Sequence, residues 1–158
     1  TAQLNRSVTY PQTGRTANQL TTLDAIGTLT PPIGDAATAP SMPNPSDSSA
    51  PLAARARAYL HTNCSLCHRP SGPTASTMDL RYTTALAATN TCNATPRLGD
   101  LGIGSSARLI SPGHPDDSIL VDRMNRRDAH AMPPVGSTRI DEAGVELLRQ
   151  WIAALECC

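Results

Sequence analysis

Toward the end of the chain, apolar residues recur at intervals of three and four. Val145, Leu148, Trp151, Ile152 and Leu155 fall on one face and predict a helix over residues 141–155. Asp141 is placed to cap that helix, and Glu142 sits in its first turn, where a carboxylate meets the positive end of the helix dipole. A second helix is predicted from Leu52 to His61. It is built of strong helix formers behind Pro51, a residue suited to a first helical turn, and it runs straight toward Cys64. A third begins at Pro115-Asp116-Asp117, continues through Ile119, Leu120 and Met124, and ends in Arg126-Arg127. Upstream, Asn18 to Gly27 reads as one short amphipathic helix, with Leu20, Leu23 and Ile26 on one side and Gly27 as its stop.

Between these stretches the periodicity fails. Residues 69–115 are interrupted repeatedly by glycine and proline and read as loop. Residues 31–51 are proline-rich with few large apolar side chains, so they are expected to run extended over the surface. A boundary near residue 50 follows: residues 1–50 form a mostly irregular N-terminal extension and residues 51–158 a single domain. No alternating series marks a run of strands. The expected class is all-α with long loops.

Composition narrows the partners. Net charge is zero, which gives no reason to expect nucleic acid or an anionic membrane surface. No apolar run approaches the about 18 residues of a membrane span, and no basic segment followed by an apolar one opens the chain. Thr1 therefore reads as a processed or trimmed start. Aromatic residues are scarce, namely Trp151, Tyr10, Tyr59 and Tyr82 with no Phe, so a large apolar cofactor would help fill a core.

The chemistry concentrates in Cys64-Ser65-Leu66-Cys67-His68. Cys-x-x-Cys-His is the attachment sequence of c-type haem. Cys64 and Cys67, one turn apart, would become thioethers to the porphyrin vinyl groups, and His68 would supply the proximal imidazole. A zinc site of His61, Cys64, Cys67 and His68 is the rival, with tolerable spacing. However, zinc leaves Ala131-Met132-Pro133-Pro134 unexplained, and adjacent Cys67 and His68 chelate one ion awkwardly.

A low-spin electron-transfer haem needs a second axial ligand. Met132 is the candidate, on a loop between two helices and stiffened by the following prolines. Met124 sits at core spacing from Leu120 and suits packing. His130 and His114 would give a bis-His site of lower potential. The Pro73 carbonyl is a candidate partner for the other imidazole nitrogen. Arg108, Arg123 and Arg127 are candidates for pairing with haem propionates, and Trp151 is a candidate to pack against the macrocycle. Five cysteines are present. Setting aside the motif pair leaves Cys92, Cys157 and Cys158, and a bridge from Cys92 to either of the last two fits an oxidising compartment.

These features together resemble the mono-haem class I bacterial c-type cytochromes. In that family a helix leads into Cys-x-x-Cys-His, a methionine ligand follows on a loop, and a C-terminal helix crosses the first. Residues 52–68, 132 and 141–155 match that order. Residues 51–156 are similar to cytochrome domains appended to larger exported bacterial proteins, in which a segment like 111–120 precedes Met-Pro-Pro. The stretch 1–6, with Asn18-Gln19-Leu20, looks like the end of an upstream region in such proteins. The resemblance implies a class I cytochrome c fold, one covalent haem c with His68 and Met132 as axial ligands, and a periplasmic or secreted location. It implies electron exchange with a redox partner protein rather than catalysis. The alternatives are a haem enzyme of peroxidase or oxygenase type with a labile sixth position, or the relay domain of a larger oxidoreductase.

Overall fold

Twelve residues of mostly alanine, leucine and arginine give α2, Leu52–Asn63, and a matching length gives α4, Glu142–Ala153. The computed structural model describes residues 2–156. Two shorter helices, α1 (Gln19–Ala25) and α3 (Ile119–Met124), and one antiparallel pair of strands, β1 (Ser7–Tyr10) and β2 (Arg15–Asn18), accompany them, with short 3₁₀ turns between. The expectation of an all-α class I cytochrome c fold is therefore corrected. The described residues form four α-helices and, in addition, a two-stranded antiparallel sheet, and are of mixed class. The chain separates into two compact units, Thr1–Pro43 and Asn44–Cys158.

The first unit is where the sequence reading went astray. Ser7 pairs with Asn18 and Tyr10 with Arg15 across the hairpin, and Gly14 takes φ +65° in the turn. The Thr9 and Thr16 hydroxyls meet at 2.8 Å across the strands. Threonine and valine favour extended backbone through their branched Cβ, but Ser7–Tyr10 and Arg15–Asn18 carry too few apolar residues to alternate visibly. Asn18 closes β2 and caps α1, its side-chain oxygen accepting from the Leu20 N–H at 2.9 Å. Its amide donates to Asn5, whose own amide donates to the carbonyls of Ala36 and Ala39. Leu20 is fully buried inside this small unit.

In the second unit α2 packs against α4. Ala56 and Leu60 from α2 meet Val145, Leu148, Trp151 and Ile152 from α4, with Ile110 and Val121 closing the core. Alanines on α2 keep its buried face thin. At the crossing, a Cβ on Gly144 would overlap the Tyr59 ring. Asp141 caps α4 by accepting from the Gly144 N–H at 3.0 Å.

The third predicted helix is divided. Pro115–Asp117 forms a 3₁₀ turn, Ser118 is extended (φ −96°, ψ 108°), and only then does α3 begin. The cause is backbone pairing with Arg108. Its N–H donates to the Asp117 carbonyl at 3.0 Å, and its carbonyl accepts from the Ile119 N–H at 2.8 Å. The buried Ser118 hydroxyl donates to the His114 carbonyl and accepts from the Ser111 N–H, which holds the break. Cys92 is disulfide-bonded, while Cys157 and Cys158, expected to hold its partner, lie outside the described residues. Among the described residues, no helix is long and apolar enough to cross a membrane.

Candidate cofactor site

The Cys64–His68 motif is folded as a tight turn over the C-terminus of α2. The N–H groups of Cys64 and Ser65 both donate to the Leu60 carbonyl, at 2.9 and 3.1 Å. The N–H groups of Cys67 and His68 then donate to the Cys64 carbonyl, at 3.1 and 2.9 Å. Helix-end carbonyls are thereby satisfied by the motif itself. Gly72 presses against the Cys67 carbonyl so closely that a Cβ there would overlap it. The His68 carbonyl accepts from the Leu80 N–H at 2.9 Å, tying the motif to the loop at 79–84.

That loop is itself boxed. The Asp79 carboxylate accepts from Arg81 Nε at 2.9 Å, from Arg81 Nη2 at 2.7 Å and from the Thr84 hydroxyl at 2.8 Å. These bonds, Arg81 first, hold the Asp79 carboxyl well below the usual carboxylate range. His61 faces this loop, with Nδ1 accepting from the Tyr82 N–H at 3.1 Å.

A cavity of about 270 Å³ opens beside the motif, and a smaller one of about 80 Å³ lies near it. Cys64, His68, Met124 and Met132 line both, and Cys67 lines the larger. Cys64 and Cys67 are free thiols, each half-buried. Burial, then the neighbouring Cys67, pushes the Cys64 thiol up to about 12, so it stays protonated at neutral pH. His68 is pushed down, by burial first and by Arg123 second, so its imidazole is neutral there. Its Nδ1 is buried without a hydrogen-bond partner among the described residues.

Met132 is fixed from two sides. Its N–H donates to the Arg123 carbonyl at 2.8 Å, while Arg123 Nε donates to the His130 carbonyl at 2.8 Å. Further along, Arg127 Nη2 donates to the Arg139 carbonyl at 2.6 Å. His130 and His114, the imidazole rivals, line neither cavity, whereas the Met78 thioether lines the smaller one.

The remaining sequence candidates divide. Arg127 lines the larger cavity and Arg123 the smaller. Arg108 lines neither. It donates to the Ser105 and Ala107 carbonyls, pulled away by the backbone pairing of residue 108 with 118. Trp151, only 3% exposed, sits in the helical core because its place on the apolar face of α4 commits it there. Pro73 lines neither cavity, and its carbonyl does not take the His68 Nδ1 proton. The chain turns between Arg69 and Gly72 before reaching it.

Sequence reasoning missed Tyr59 and Asp141 as cavity residues. Both line the larger cavity, and the Tyr59 hydroxyl donates to Asp141 Oδ2 at 2.9 Å. Burial first and Asp141 second push the Tyr59 hydroxyl well above its ordinary value, so it remains a donor. The available signal was the position of Tyr59 on α2, little more than one turn before Cys64.

Comparison with protein-family models, curated proteins and solved structures gave no match.

The residues present fit a covalently attached haem. Two free thiols, Cys64 and Cys67, line the larger cavity with His68, whose Nδ1 is buried in the protein. A thioether side chain lines the same cavities. Zinc fits less well. His61 Nδ1, one of its four candidate ligand atoms, already accepts from the Tyr82 N–H.

Proposed function

We propose that this chain transfers electrons through one covalently bound c-type haem in an exported bacterial protein. The observation that carries the reading is that Cys64, Cys67, His68 and Met132, from two separate segments, line one cavity. Bound there, haem supplies a one-electron iron couple. Cys64 and Cys67 would hold it covalently, each thiol adding its S and H across one vinyl double bond, an addition that needs no external oxidant. His68 would hold the iron by its imidazole, which burial keeps uncharged. Met132 offers its sulfur from a loop whose backbone is already pinned, so little conformational entropy is lost on ligation. His68 and Met132 would together hold the iron, which suits electron exchange with a redox partner protein rather than bond-making on a substrate.

Intact mass and visible spectra in both redox states test this reading. The expected result is one haem per chain, with the Cys64 and Cys67 thiols consumed. A low-spin spectrum should carry the long-wavelength charge-transfer band of thioether–iron ligation. A colourless chain holding zinc would overturn the reading, and a loaded but high-spin chain would favour a haem enzyme with an open sixth position.

A further inference from the structure

Three arginines in and just after α3 differ in their partners. Arg126 is neutralised, meeting Asp122 at 2.9 Å and Asp128 at 2.6 Å. Arg123 and Arg127 are also half-buried, but neither meets a carboxylate among the described residues. Arg123 donates from Nε to the His130 carbonyl. Arg127 donates to the carbonyls of Met124, Arg126 and Arg139, and its Nε has no acceptor. Carbonyl oxygens take hydrogen bonds but leave the charge in place. A half-buried guanidinium without a counter-ion has lost hydration and gained no ion pair in return.

Arg127 lines the larger cavity and Arg123 the smaller. Among the described residues, the only other charged side chains lining them are Arg139 and Asp141. Both Asp141 oxygens are already engaged, by the Tyr59 hydroxyl and the Gly144 N–H. Three arginines against one aspartate leave an excess of two positive charges around the site, in a chain whose net charge is zero.

We propose that Arg123 and Arg127 are the anchors of a dicarboxylate edge, the two propionates of the haem, one guanidinium to each. The proposal rests on the haem reading above and deepens it. Planar guanidinium groups match carboxylates in a way an ammonium does not. The same two side chains hold the His130 and Arg139 carbonyls, on either side of Met132. The propionates and the Met132 loop therefore share their anchors, and loading the haem ties that loop down. Removing either charge leaves one propionate without its partner, which favours ferric iron and lowers the midpoint potential.

The test uses the full chain matured with haem, its loading measured first by intact mass. A wild-type chain that carries no haem sinks the parent reading, and this one with it. In loaded wild type, resonance Raman propionate-bending modes are expected at the frequencies of hydrogen-bonded carboxylates. Modes at the frequencies of free, water-solvated propionates overturn the assignment without any variant. Arg123→Gln and Arg127→Gln should each move a propionate mode and lower the midpoint potential, while Arg108→Gln moves neither. Loaded Gln variants with unmoved modes and unchanged potential refute the assignment. If a Gln variant does not load, the Lys variant replaces it. It keeps the charge but not the fork, so the mode should move while the potential stays near wild type. An unmoved mode counts against the proposal.

Discussion

Replacing Gly144 with alanine sets two opposing effects against each other at the α2–α4 crossing. Alanine inside a helix is favoured over glycine by about 0.5–1 kcal/mol, so a helix considered alone would gain. Here the added Cβ overlaps the Tyr59 ring. Either the ring swings away or the helices separate, and overpacking of this kind costs about 1–3 kcal/mol. A displaced ring also loses the 2.9 Å bond to Asp141, a loss of about 1 kcal/mol at this exposed position. The clash wins, and Gly144→Ala should destabilise the chain by about 1–3 kcal/mol net. Urea unfolding followed by far-ultraviolet circular dichroism reads the change as a lower midpoint at unchanged slope. In a Tyr59→Leu background the same substitution should be neutral or stabilising, because the obstructing ring is gone; the double-mutant cycle isolates that contact. A raised midpoint for Gly144→Ala alone would refute the close approach of the two helices.

Three further outcomes follow from other parts of the structure. Asp79 has a carboxyl depressed by Arg81 and then Thr84, so its stabilisation is present above the ordinary carboxylate value of about 3.9. It is lost as pH falls through the lower folded value. Asp79→Asn should therefore lower stability at pH 7 and flatten the loss below about pH 4, and equal acid sensitivity in both proteins would exclude the role. Leu148, fully buried between the helices, should cost about 2–5 kcal/mol when cut to alanine, read from the same urea curves; a change under about 1 kcal/mol would contradict its place in the core. If the chain carries haem as proposed, Met132→Ala should leave it attached, as intact mass would show, but abolish the long-wavelength band and lower the potential. A retained band would hand the sixth position to Met124 or Met78.

The helices were legible where local chemistry and tertiary packing agree. The apolar face of α4 and its Asp141 cap could be read directly, because the buried side and the capping side chain are both encoded within one segment. The hairpin was not legible, because the strand preference of Thr9 and Thr16 is expressed only when each finds the other. Ser118 was misread for a related reason: acidic residues after Pro115 announce a helix, while the break comes from pairing with Arg108 elsewhere in the chain. In the site, a contiguous motif announced Cys64, Cys67 and His68. Arg108 and Trp151 were chosen by residue type alone, and type does not say which way a side chain is drawn. Tyr59 and Asp141 escaped because their shared role arises only where α2 and α4 cross.

The two bonds around Arg123 form a closed circuit. Its carbonyl takes the Met132 N–H while its side chain takes the His130 carbonyl. A segment bound at both ends to one residue has a fixed contour length. One residue added between Met124 and His130 would force one of those bonds to break and shift the Met132 sulfur along the cavity. Beyond Pro134 the chain is held chiefly where Arg127 grips the Arg139 carbonyl. Natural or engineered variation in length should therefore collect in residues 135–138, and the eight-residue path from Met124 to Ala131 should tolerate almost none.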